Sequence, residues 1–532
     1  MTSHHFPSRR SAVLARQGMV ATSQPLAAMA GLRILMDGGN AADAAVTVAS
    51  MLNVVEPMST GIGGDCFALI YEAETGQVAA LNGSGRAPAA FTLKEARRLG
   101  LESIPLTGPL PVTVPGAPSG WEALLERYGT MSLANCLAPA IATAEAGFPV
   151  SERISARWKL LEAKLSQDRE ASRVYLPAPK VGDVHRQPDL ARTFRIVAEG
   201  GAQAFYHGVL AEKTAAYVQS KGGYLTPDDL AHHKVTWEVP IRTTYRDVEV
   251  LEHPPNGQGL AALVALNIIE AYDLADMDYF DPARWHVMIE AMRLGMADAA
   301  HHVADPTMVK VPVAGLLSKE YAARRRSLVQ SDRALDIFAP GQPEHRDTVY
   351  LTVVDGQGNA VSFINSLYYG FGSGLVVPET GICLQNRGAC FTLEPDHPNI
   401  LAGGKRPYHT IIPAMALRGG ELWLSFGVMG GFMQPQGHLQ VLANLIDYGM
   451  NPQTALDAPR FRVDERGGLR VHIETGVPLK VRKALAAMGH EVESQTTFAP
   501  GFGSGDIIAR DSSTGVLCGA SDPRKDGCAV GF

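Results

Sequence analysis

The sequence predicts an α+β fold in which two β-sheets lie between layers of helices. Helical periodicity dominates the middle of the chain, from Pro118 to Met308, and strands alternate with turns from Thr348 onward. A hairpin pattern also precedes the helical stretch, so strands occur on both sides of position 348. Because sheets bury their apolar faces against other elements, we expect both parts of the chain to share one core.

Two helices are predicted before the first hairpin. Pro25 begins the first one, and the pair Gly38-Gly39 ends it in the manner common at helix C-termini. Asn40 is predicted to cap the second helix, whose alanine-rich sequence runs from Ala41 to Leu52. The short side chains allow this second helix to pack closely against a sheet.

A β-hairpin and then a helical layer follow. Apolar strands at Cys66 to Tyr71 and Val78 to Leu81 flank a polar turn, which is the pattern of a hairpin. The clearest helices of the middle region are Trp121 to Tyr128, Leu133 to Ala146 and Pro282 to Ala300.

The last third of the chain is predicted to consist mainly of strands. Val349 to Val354 and Ala360 to Ile364 form a hairpin around the turn Asp355 to Asn359. The further elements are a strand at Leu422 to Phe426, a helix at Gln436 to Tyr448 and a strand at Leu469 to His472.

Composition and charge limit the partners of this protein. The chain has 532 residues, 46% of them hydrophobic, and a formal net charge of -7. Apart from Arg324 to Arg326 it contains no block of basic residues, which argues against a nucleic-acid partner. We therefore expect a small neutral or anionic substrate.

Targeting signals and cysteine spacing bear on the compartment. No apolar run reaches the length of a signal peptide or a membrane span, so we expect a cytoplasmic protein that does not bind a membrane. The six cysteines are scattered and form no CxxC pair, which is typical of reduced, isolated thiols.

Thr348 is the first candidate catalytic residue. It begins a strand directly after the polar stretch Gln342 to Asp347, so cleavage between Asp347 and Thr348 would create a new N-terminus. One residue would then carry a hydroxyl nucleophile and, in its freed α-amine, a general base that titrates near pH ~8. The alternative is a β-branched residue that merely starts a strand.

Other catalytic signatures are missing. The serines that come closest to a GxSxG elbow have glycine directly on both sides, and they are Ser84, Ser373 and Ser504. Gly61 to Gly64 and Gly372 to Gly374 lack the full GxGxxG spacing of dinucleotide sites, and Lys405 precedes Arg406, not Ser or Thr. The adjacent pair His301-His302 points to different helix faces. We therefore predict no cofactor and no metal.

Two further features could serve catalysis. Gly430-Gly431 follows a predicted strand, so its amides could form an oxyanion hole, although such a pair is also common in plain turns. Arg86 lies among small residues at the end of the first hairpin and could clamp a carboxylate. The alternative for Arg86 is a surface arginine in a loop.

Taken together, these features resemble the γ-glutamyltranspeptidase family of N-terminal-nucleophile hydrolases, also called γ-glutamyltransferases or glutathione hydrolases. The resemblance covers nearly the whole chain. Its most specific segments are Gly38 to Ala44, Ser59 to Asp65, Asp347-Thr348 with Val353 to Asp355, Lys405 to Pro407, Gly430-Gly431 and Asp522 to Gly527.

The resemblance implies a four-layer αββα sandwich made as an inactive precursor that cuts itself before Thr348. The fragments would be residues 1–347, rich in helices and carrying part of the sheets, and residues 348–532, carrying the nucleophile. The two fragments would stay associated and could pair again into a dimer. The implied roles at the site are Thr348 as nucleophile, Gly430 and Gly431 as oxyanion hole, Thr352 and Ser366 as hydroxyl residues near the nucleophile, and Arg86 as the grip on a substrate carboxylate.

Several positions depart from the family's glutamyl-binding pattern. Tyr368, Arg387 and Cys390 stand where the transpeptidases have Asn, an acidic or amide residue, and Asp, the groups that bind the substrate's α-ammonium. His409-Thr410 replaces a pair of serines. The exchange makes the pocket more positive and leaves an ammonium without a counter-charge.

These departures favour a substrate that carries a carboxylate and no amine. The segments from Gln385 to Gly388 and from Gly427 to Gly431 are most similar to oxamate amidohydrolases and glutaryl-cephalosporin acylases. We therefore predict an amidohydrolase that works through a threonyl acyl-enzyme. A γ-glutamyltransferase or glutathione hydrolase is the alternative within the family, and an uncleaved, inactive binding protein is the alternative of another class.

Overall fold

The computed structural model describes residues 8, 10–336, 348–465 and 467–532. Asp347 and the polar stretch ahead of it therefore lie outside the described residues. The strands are β1 (Val13–Ala15), β2 (Gly18–Thr22), β3 (Asp65–Glu72), β4 (Gln77–Gly83), β5 (Phe148–Pro149), β6 (Val184–His185), β7 (Thr236–Glu238), β8 (Ile241–Tyr245), β9 (Val248–Glu252), β10 (Val349–Asp355), β11 (Ala360–Ser366), β12 (Ala414–Arg418), β13 (Glu421–Met429), β14 (Phe461–Val463), β15 (Arg470–Glu474), β16 (Glu491–Gln495), β17 (Ser504–Arg510), β18 (Leu517–Ser521) and β19 (Cys528–Gly531).

The α-helices are α1 (Pro25–Met36), α2 (Ala41–Val55), α3 (Leu93–Arg98), α4 (Ala117–Tyr128), α5 (Leu133–Ala146), α6 (Glu152–Lys159), α7 (Glu162–Leu165), α8 (Arg169–Tyr175), α9 (Pro188–Gly200), α10 (Gln203–Tyr206), α11 (Val209–Ser220), α12 (Pro227–Ala231), α13 (Gly259–Ile269), α14 (Pro282–His302), α15 (Val313–Leu316), α16 (Lys319–Arg326), α17 (Met433–Ile446), α18 (Pro452–Asp457) and α19 (Leu479–Ala487). Short 3₁₀ turns occur at Leu274–Asp276, Arg387–Cys390 and Pro500–Phe502.

Two large sheets form the centre of the molecule. One has the strand order β19-β2-β10-β11-β3-β4-β7 and the other the order β1-β18-β17-β13-β12-β9-β8. Each sheet combines strands from before and after residue 348, so neither part of the chain has a sheet of its own. The predicted sharing of one core across this position is confirmed.

Helices cover the outer face of each sheet. Helices α1, α2, α4 and α5 share one apolar cluster with the sheet that contains β10, and α13, α14 and α17 share another with the sheet that contains β13. Residues such as Phe67, Tyr350 and Met429 fill the space between the sheets. The resulting layers are helix, sheet, sheet, helix, which confirms the predicted α+β sandwich.

Local sequence signals explain the elements around the site. Asn40 caps α2 through a capping box with Asp43, as predicted, and this all-buried alanine-rich helix lies against β10 and β11. Helix α1 begins at Pro25, where the side chain of Gln24 accepts from the amide of Leu26. Both predicted hairpins form, β3 with β4 and β10 with β11.

One part of the sequence interpretation was too simple. The middle region contains strands as well as helices, and the hairpin β8 and β9 forms one edge of the second sheet. Within the described residues, no helix combines the length and apolar character needed to cross a membrane.

Asp506 is an acidic side chain buried between the two sheets. It lies on β17 opposite Gly427 of β13, and neither carboxyl oxygen has a hydrogen-bond partner in the part of the chain that the structure describes. Burial raises the pKa of Asp506 to about 8. Between pH ~4 and ~8 the folded protein therefore keeps a proton that the unfolded chain releases, and the free energy of unfolding falls as the pH rises through this window.

We expect Asp506→Asn to stabilise the protein more at pH 8 than at pH 5, because the amide removes a carboxyl that is costly to ionise only at the higher pH. Calorimetric melting temperatures of both proteins at the two pH values measure this. Asp522→Asn is a control for a carboxyl whose pKa is shifted in the opposite direction. Burial raises the pKa of Asp522, but Arg460 and Arg524 outweigh this effect and hold it below its usual value. An equal gain for Asp506→Asn at both pH values would contradict the assignment.

Candidate active site

Thr348 lies directly before β10, and its side chain is only 1% exposed. In the β10–β11 hairpin Val349 pairs with Asn365, so the next position places Thr348 beside Ser366. The hydroxyl oxygens Thr348 Oγ1 and Ser366 Oγ are 3.1 Å apart. The turn predicted at Asp355 to Asn359 thus sets the register that brings these two hydroxyls together.

Ser366 Oγ also has two N–H donors. The backbone amide of Tyr368 donates to it at 2.9 Å, and Nη2 of Arg387 donates at 3.4 Å. Since a hydroxyl oxygen has two acceptor sites, the proton of Ser366 is left to be donated to Thr348 Oγ1. The proton of Thr348 then points away from Ser366.

The backbone carbonyl of Thr348 is fixed by a charged group. Lys525 Nζ donates to this carbonyl at 3.0 Å and also pairs with the carboxylate of Glu56. Ser23 and Ser59 each donate a hydroxyl to Glu56 at 2.7 Å. Glu56 follows α2 and Lys525 follows β18, so a helix on one sheet and a strand of the other sheet both contribute to holding the start of β10 in place.

Arg387 is a fully buried cation beside these hydroxyls, with 0% of the side chain exposed. Its Nη1 donates to Thr410 Oγ1 at 2.8 Å, and its guanidinium lies over the ring of Tyr368, 4.3 Å from the ring centroid. Its Nε has no hydrogen-bond partner, and no carboxylate of the described residues lies in ion-pair contact with it. A buried guanidinium that has no paired carboxylate can bind the carboxylate of a substrate.

Asp65 is an acidic side chain that feels the charge of Arg387. Burial raises the pKa of Asp65 to about 6, although the charge of Arg387 opposes the shift. Ile411 donates its amide to His409 Nδ1 at 3.3 Å, so Nε2 carries the proton and donates to Asp65 at 3.0 Å. Burial, together with Arg387, lowers the pKa of His409 well below its usual range. His409 is therefore neutral and orients Asp65.

Arg86 follows β4 at the same end of the sheet. The neighbouring amide of Gly85 donates to Asp65 at 2.9 Å. Burial lowers the pKa of Arg406 to about 10, and the positive charge of Arg86 adds to this effect. The half-buried Arg86 side chain forms no hydrogen bond with any residue that the structure describes, so it is able to bind an anion.

Gly430 and Gly431 come directly after β13, which runs to Met429, beyond the predicted strand end at Phe426. Their φ angles of 126° and 62° are in the region that favours glycine. Neither amide N–H donates to an acceptor in the described ranges. Gln258 Nε2 holds the carbonyl of Gly431 at 2.8 Å and that of Thr410 at 2.6 Å. The peptide is thus fixed with two amides available to a ligand.

Thr352 lies four residues beyond Thr348 on the same face of β10. A strand advances by about 3.3 Å per residue, which puts the two threonines roughly 13 Å apart. Thr352 Oγ1 is 2.6 Å from Ser425 Oγ on the facing sheet. The predicted catalytic contribution of Thr352 stays a prediction, and its visible contact joins the two sheets.

Two cavities lie at this end of the sheets. One, of about 530 Å³, is lined by Tyr368, Cys390 and Phe391 among others. The other, of about 350 Å³, is lined by Thr348 and Gly430. Among the predicted substrate-binding residues, a polar group therefore surrounds Arg387, whereas Cys390 lines the wall of the larger cavity.

The donor set His286, Glu290 and His490 forms away from these residues, with its ligand atoms within 4.8 Å of one another. His286 Nδ1 and His490 Nε2 are hydrogen-bonded at 2.8 Å, and Arg293 donates to Glu290 at 2.5 Å. Burial lowers the pKa of His490 to about 3. The positive charge of Arg293 disfavours a metal cation here. The three side chains instead connect α14 with the segment before β16.

Comparison with known proteins identifies the family. The family model for gamma-glutamyltranspeptidase matches residues 27–532. The chain belongs to the γ-glutamyltranspeptidase family. A Bacillus subtilis protein named glutathione hydrolase-like YwrD proenzyme is 40% identical over 98% of this chain and 99% of its own length. The oxamate amidohydrolase proenzyme of Klebsiella pneumoniae is 36% identical over 98% and 100% of the two chains.

Solved structures agree with this assignment. The crystal structure of a cephalosporin acylase from Bacillus halodurans is similar over 100% of this chain and 98% of that one, with a TM-score of 0.93 and 47% identity. This member of the γ-glutamyltranspeptidase family therefore has the αββα fold of N-terminal-nucleophile hydrolases and is an enzyme of the hydrolase or transferase type.

Three residues of this family member's site were missed by sequence reasoning. They are Gln258 and Lys525, which hold backbone carbonyls in place, and Glu56, which pairs with Lys525. Glu56 could have been noticed as an acid at the end of an otherwise apolar helix, and Lys525 lies inside a segment already singled out. Gln258 lies in a loop with no local signal.

Proposed function

We propose that this protein is a self-processing amidohydrolase that acts on a carboxylate-bearing amide through an acyl-enzyme on Thr348. In the precursor, Thr348 Oγ1 attacks the carbonyl of Asp347, and the peptide becomes an ester by an N-to-O acyl shift. Water then hydrolyses the ester and leaves fragments 1–347 and 348–532. Because both sheets mix strands from the two fragments, the fragments remain one unit.

In the mature enzyme the freed α-amine of Thr348 is the general base. It takes the hydroxyl proton as Oγ1 attacks the substrate carbonyl, and it passes that proton to the departing amine. The donation from Ser366 turns the proton of Thr348 away from Ser366 and leaves it available to the base. Water then attacks the ester and releases the acid.

The oxyanion of each tetrahedral intermediate is assigned to the amides of Gly430 and Gly431. Their N–H groups have no acceptor among the described residues, and Gln258 fixes the peptide that carries them. Each such donor contributes about 3 kcal/mol to transition-state stabilisation in comparable sites. This pair is therefore the second requirement for turnover after the nucleophile.

The single observation that carries the substrate class is the buried Arg387. Its charge lies next to the nucleophile's hydroxyl partner and lacks an ion-paired carboxylate in the described part of the chain. A substrate carboxylate can supply the missing charge, whereas an α-ammonium would be repelled. Arg86 is proposed as a second contact for the same end of the substrate.

The names of two relatives support this choice. One is named an oxamate amidohydrolase and the other a cephalosporin acylase, and both names fit the amide hydrolysis proposed for this protein. A γ-glutamyl substrate is the second candidate, because the relative with 40% identity carries a glutathione hydrolase-like name.

Two chromogenic substrates distinguish these candidates. Glutaryl-p-nitroanilide and γ-glutamyl-p-nitroanilide differ only by the α-amino group. We expect kcat/KM to be at least about tenfold higher for the glutaryl compound, a difference of about 1.4 kcal/mol, because the added ammonium faces Arg387. Equal or better turnover of the γ-glutamyl compound would contradict the proposal, and Thr348→Ala provides the blank.

A further inference from the structure

The cavity of about 350 Å³ lies on a different side of Thr348 from Arg387. Thr348 and Gly430 form part of its wall, whereas Ser366, Arg387 and Thr410 do not line it. Thr348 therefore contacts the polar group through Oγ1 and also forms part of the cavity wall. The inference below rests on the proposed function. It concerns which side of Thr348 receives the acyl part of the substrate and which side receives the leaving amine.

An amide under attack extends in two directions from its carbonyl carbon. If the acyl carboxylate pairs with Arg387, the carbonyl oxygen points to the Gly430 and Gly431 amides, and the nitrogen is directed to the remaining side. The remaining side is the cavity that Thr348 and Gly430 share. We propose that this cavity is the leaving-amine subsite and that it accepts a bulky apolar amine.

The chemistry of the wall supports an apolar occupant. The cavity is lined by Met58, Ile154, Leu160, Met429 and Pro500. Leu160 stands at the end of α6 with 74% of its surface exposed and adds apolar surface to the cavity. The volume suits a cyclic amine, and the ammonia released from a primary amide would leave it unfilled.

Charged side chains also line this cavity, and several of them are engaged with other parts of the protein: Arg524 pairs with Glu474, Asp526 accepts from Ser151 Oγ, and Arg153 donates to the carbonyl of Pro523. Glu56 and Lys525 are paired with each other beside Thr348, and Lys525 donates to the carbonyl of Thr348. The nitrogen leaves from the end near Thr348 after it takes the proton from the α-amine of this residue. The C–N bond breaks as the ester to Oγ1 is retained, so a neutral amine departs through the apolar part.

Two amides with the same acyl group test the subsite. Glutaryl methylamide and glutaryl cyclohexylmethylamide release amines of closely similar basicity, so a difference in kcat/KM reports contacts and not leaving-group reactivity. We expect the wild type to favour the cyclohexylmethyl amide by about tenfold or more. Product acids and amines are measured chromatographically with the processed enzyme.

Variants on the exposed helix surface complete the test. Ala156 also lines the cavity and is exposed, so Ala156→Trp should fill the space and bring the ratio of the two kcat/KM values close to one. Leu160→Gln should lower the ratio in part. Leu14→Gln is the matched control, because Leu14 is 68% exposed and lies outside the cavity.

The possible outcomes distinguish failure of the leaving-amine subsite from failure of the proposed amidohydrolase function. Equal kcat/KM values for the two amides in the wild type, or a ratio unchanged by Ala156→Trp, would overturn the subsite while leaving the amidohydrolase intact. Failure of protein cut before Thr348 to hydrolyse either amide would overturn the proposed function and the subsite together.

Discussion

Thr348→Ala is expected to abolish both cleavage of the chain and hydrolysis of amides. The substitution removes the hydroxyl that lies 3.1 Å from Ser366 Oγ and, by blocking cleavage, also prevents release of the α-amine. Loss of a nucleophile that works with its base typically lowers the rate by about 10⁴-fold or more. Denaturing electrophoresis should show one intact band, and glutaryl-p-nitroanilide should give no more product than it gives in buffer without protein.

Thr348→Ser is the matched control, because it keeps the hydroxyl and the future α-amine. It should still be cut and should retain measurable turnover, with a loss that reflects only the missing methyl group. A Thr348→Ala protein that still breaks at this bond would contradict the assignment of the nucleophile. A Thr348→Ser protein that stays intact and folded would also argue against it.

Arg387→Gln should weaken turnover of glutaryl substrates by about 100-fold in kcat/KM, mostly through KM, because charge-assisted hydrogen bonds of this kind contribute about 1.5–3 kcal/mol each. The loss should be smaller for γ-glutamyl-p-nitroanilide, since the repulsion of its ammonium is relieved at the same time. The preference between the two substrates should therefore narrow or reverse.

Arg387→Lys distinguishes charge from geometry at this position. It retains a cation but cannot donate to Ser366 and Thr410 in the same fork, so we expect partial recovery of the glutaryl preference with lower turnover. The melting temperature of each variant shows whether the fold survives. If Arg387→Gln lowers activity on both substrates by the same factor, Arg387 supports the site without contacting the substrate carboxylate.

Local sequence signals were sufficient to predict the elements that position Thr348, the proposed nucleophile. The Asn40 cap and the two hairpins depend on neighbours within a few positions and were predicted correctly, whereas the strand before Gly430 was predicted to end at Phe426 and continues to Met429. The β10–β11 register then follows from the turn at Asp355 to Asn359. That register alone places Thr348 beside Ser366.

Contacts between distant parts of the chain could not be read from the sequence. Lys525 reaches the carbonyl of Thr348 across 177 positions, and Glu56 meets Lys525 across 469. Strands β8 and β9 were missed because both carry polar residues among their apolar ones, and only β8 lies at the edge of the sheet. The separation of the site into a polar side and an apolar cavity is likewise a property of the packed sheets and of α6.

Tyr368, Arg387 and Cys390, the residues that depart from the family's glutamyl-binding pattern, lie in different surroundings in the structure. Tyr368 and Arg387 form one stacked unit beside Ser366, held with Tyr368 at a φ of 81°, a conformation that costs a non-glycine residue about 1–3 kcal/mol. Cys390 faces the larger cavity. We therefore expect the substrate preference to be most sensitive to substitution at this strained, buried pair.

Intact mass spectrometry of the purified protein, before and after a rapid acid quench with glutaryl-p-nitroanilide, tests the central claim most directly. The account predicts two polypeptides, one of them beginning at Thr348 and ending at Phe532, and a glutaryl group attached to the Thr348 hydroxyl in the quenched sample. A single full-length chain that still hydrolyses the amide, or a glutaryl group on any other residue, would contradict it.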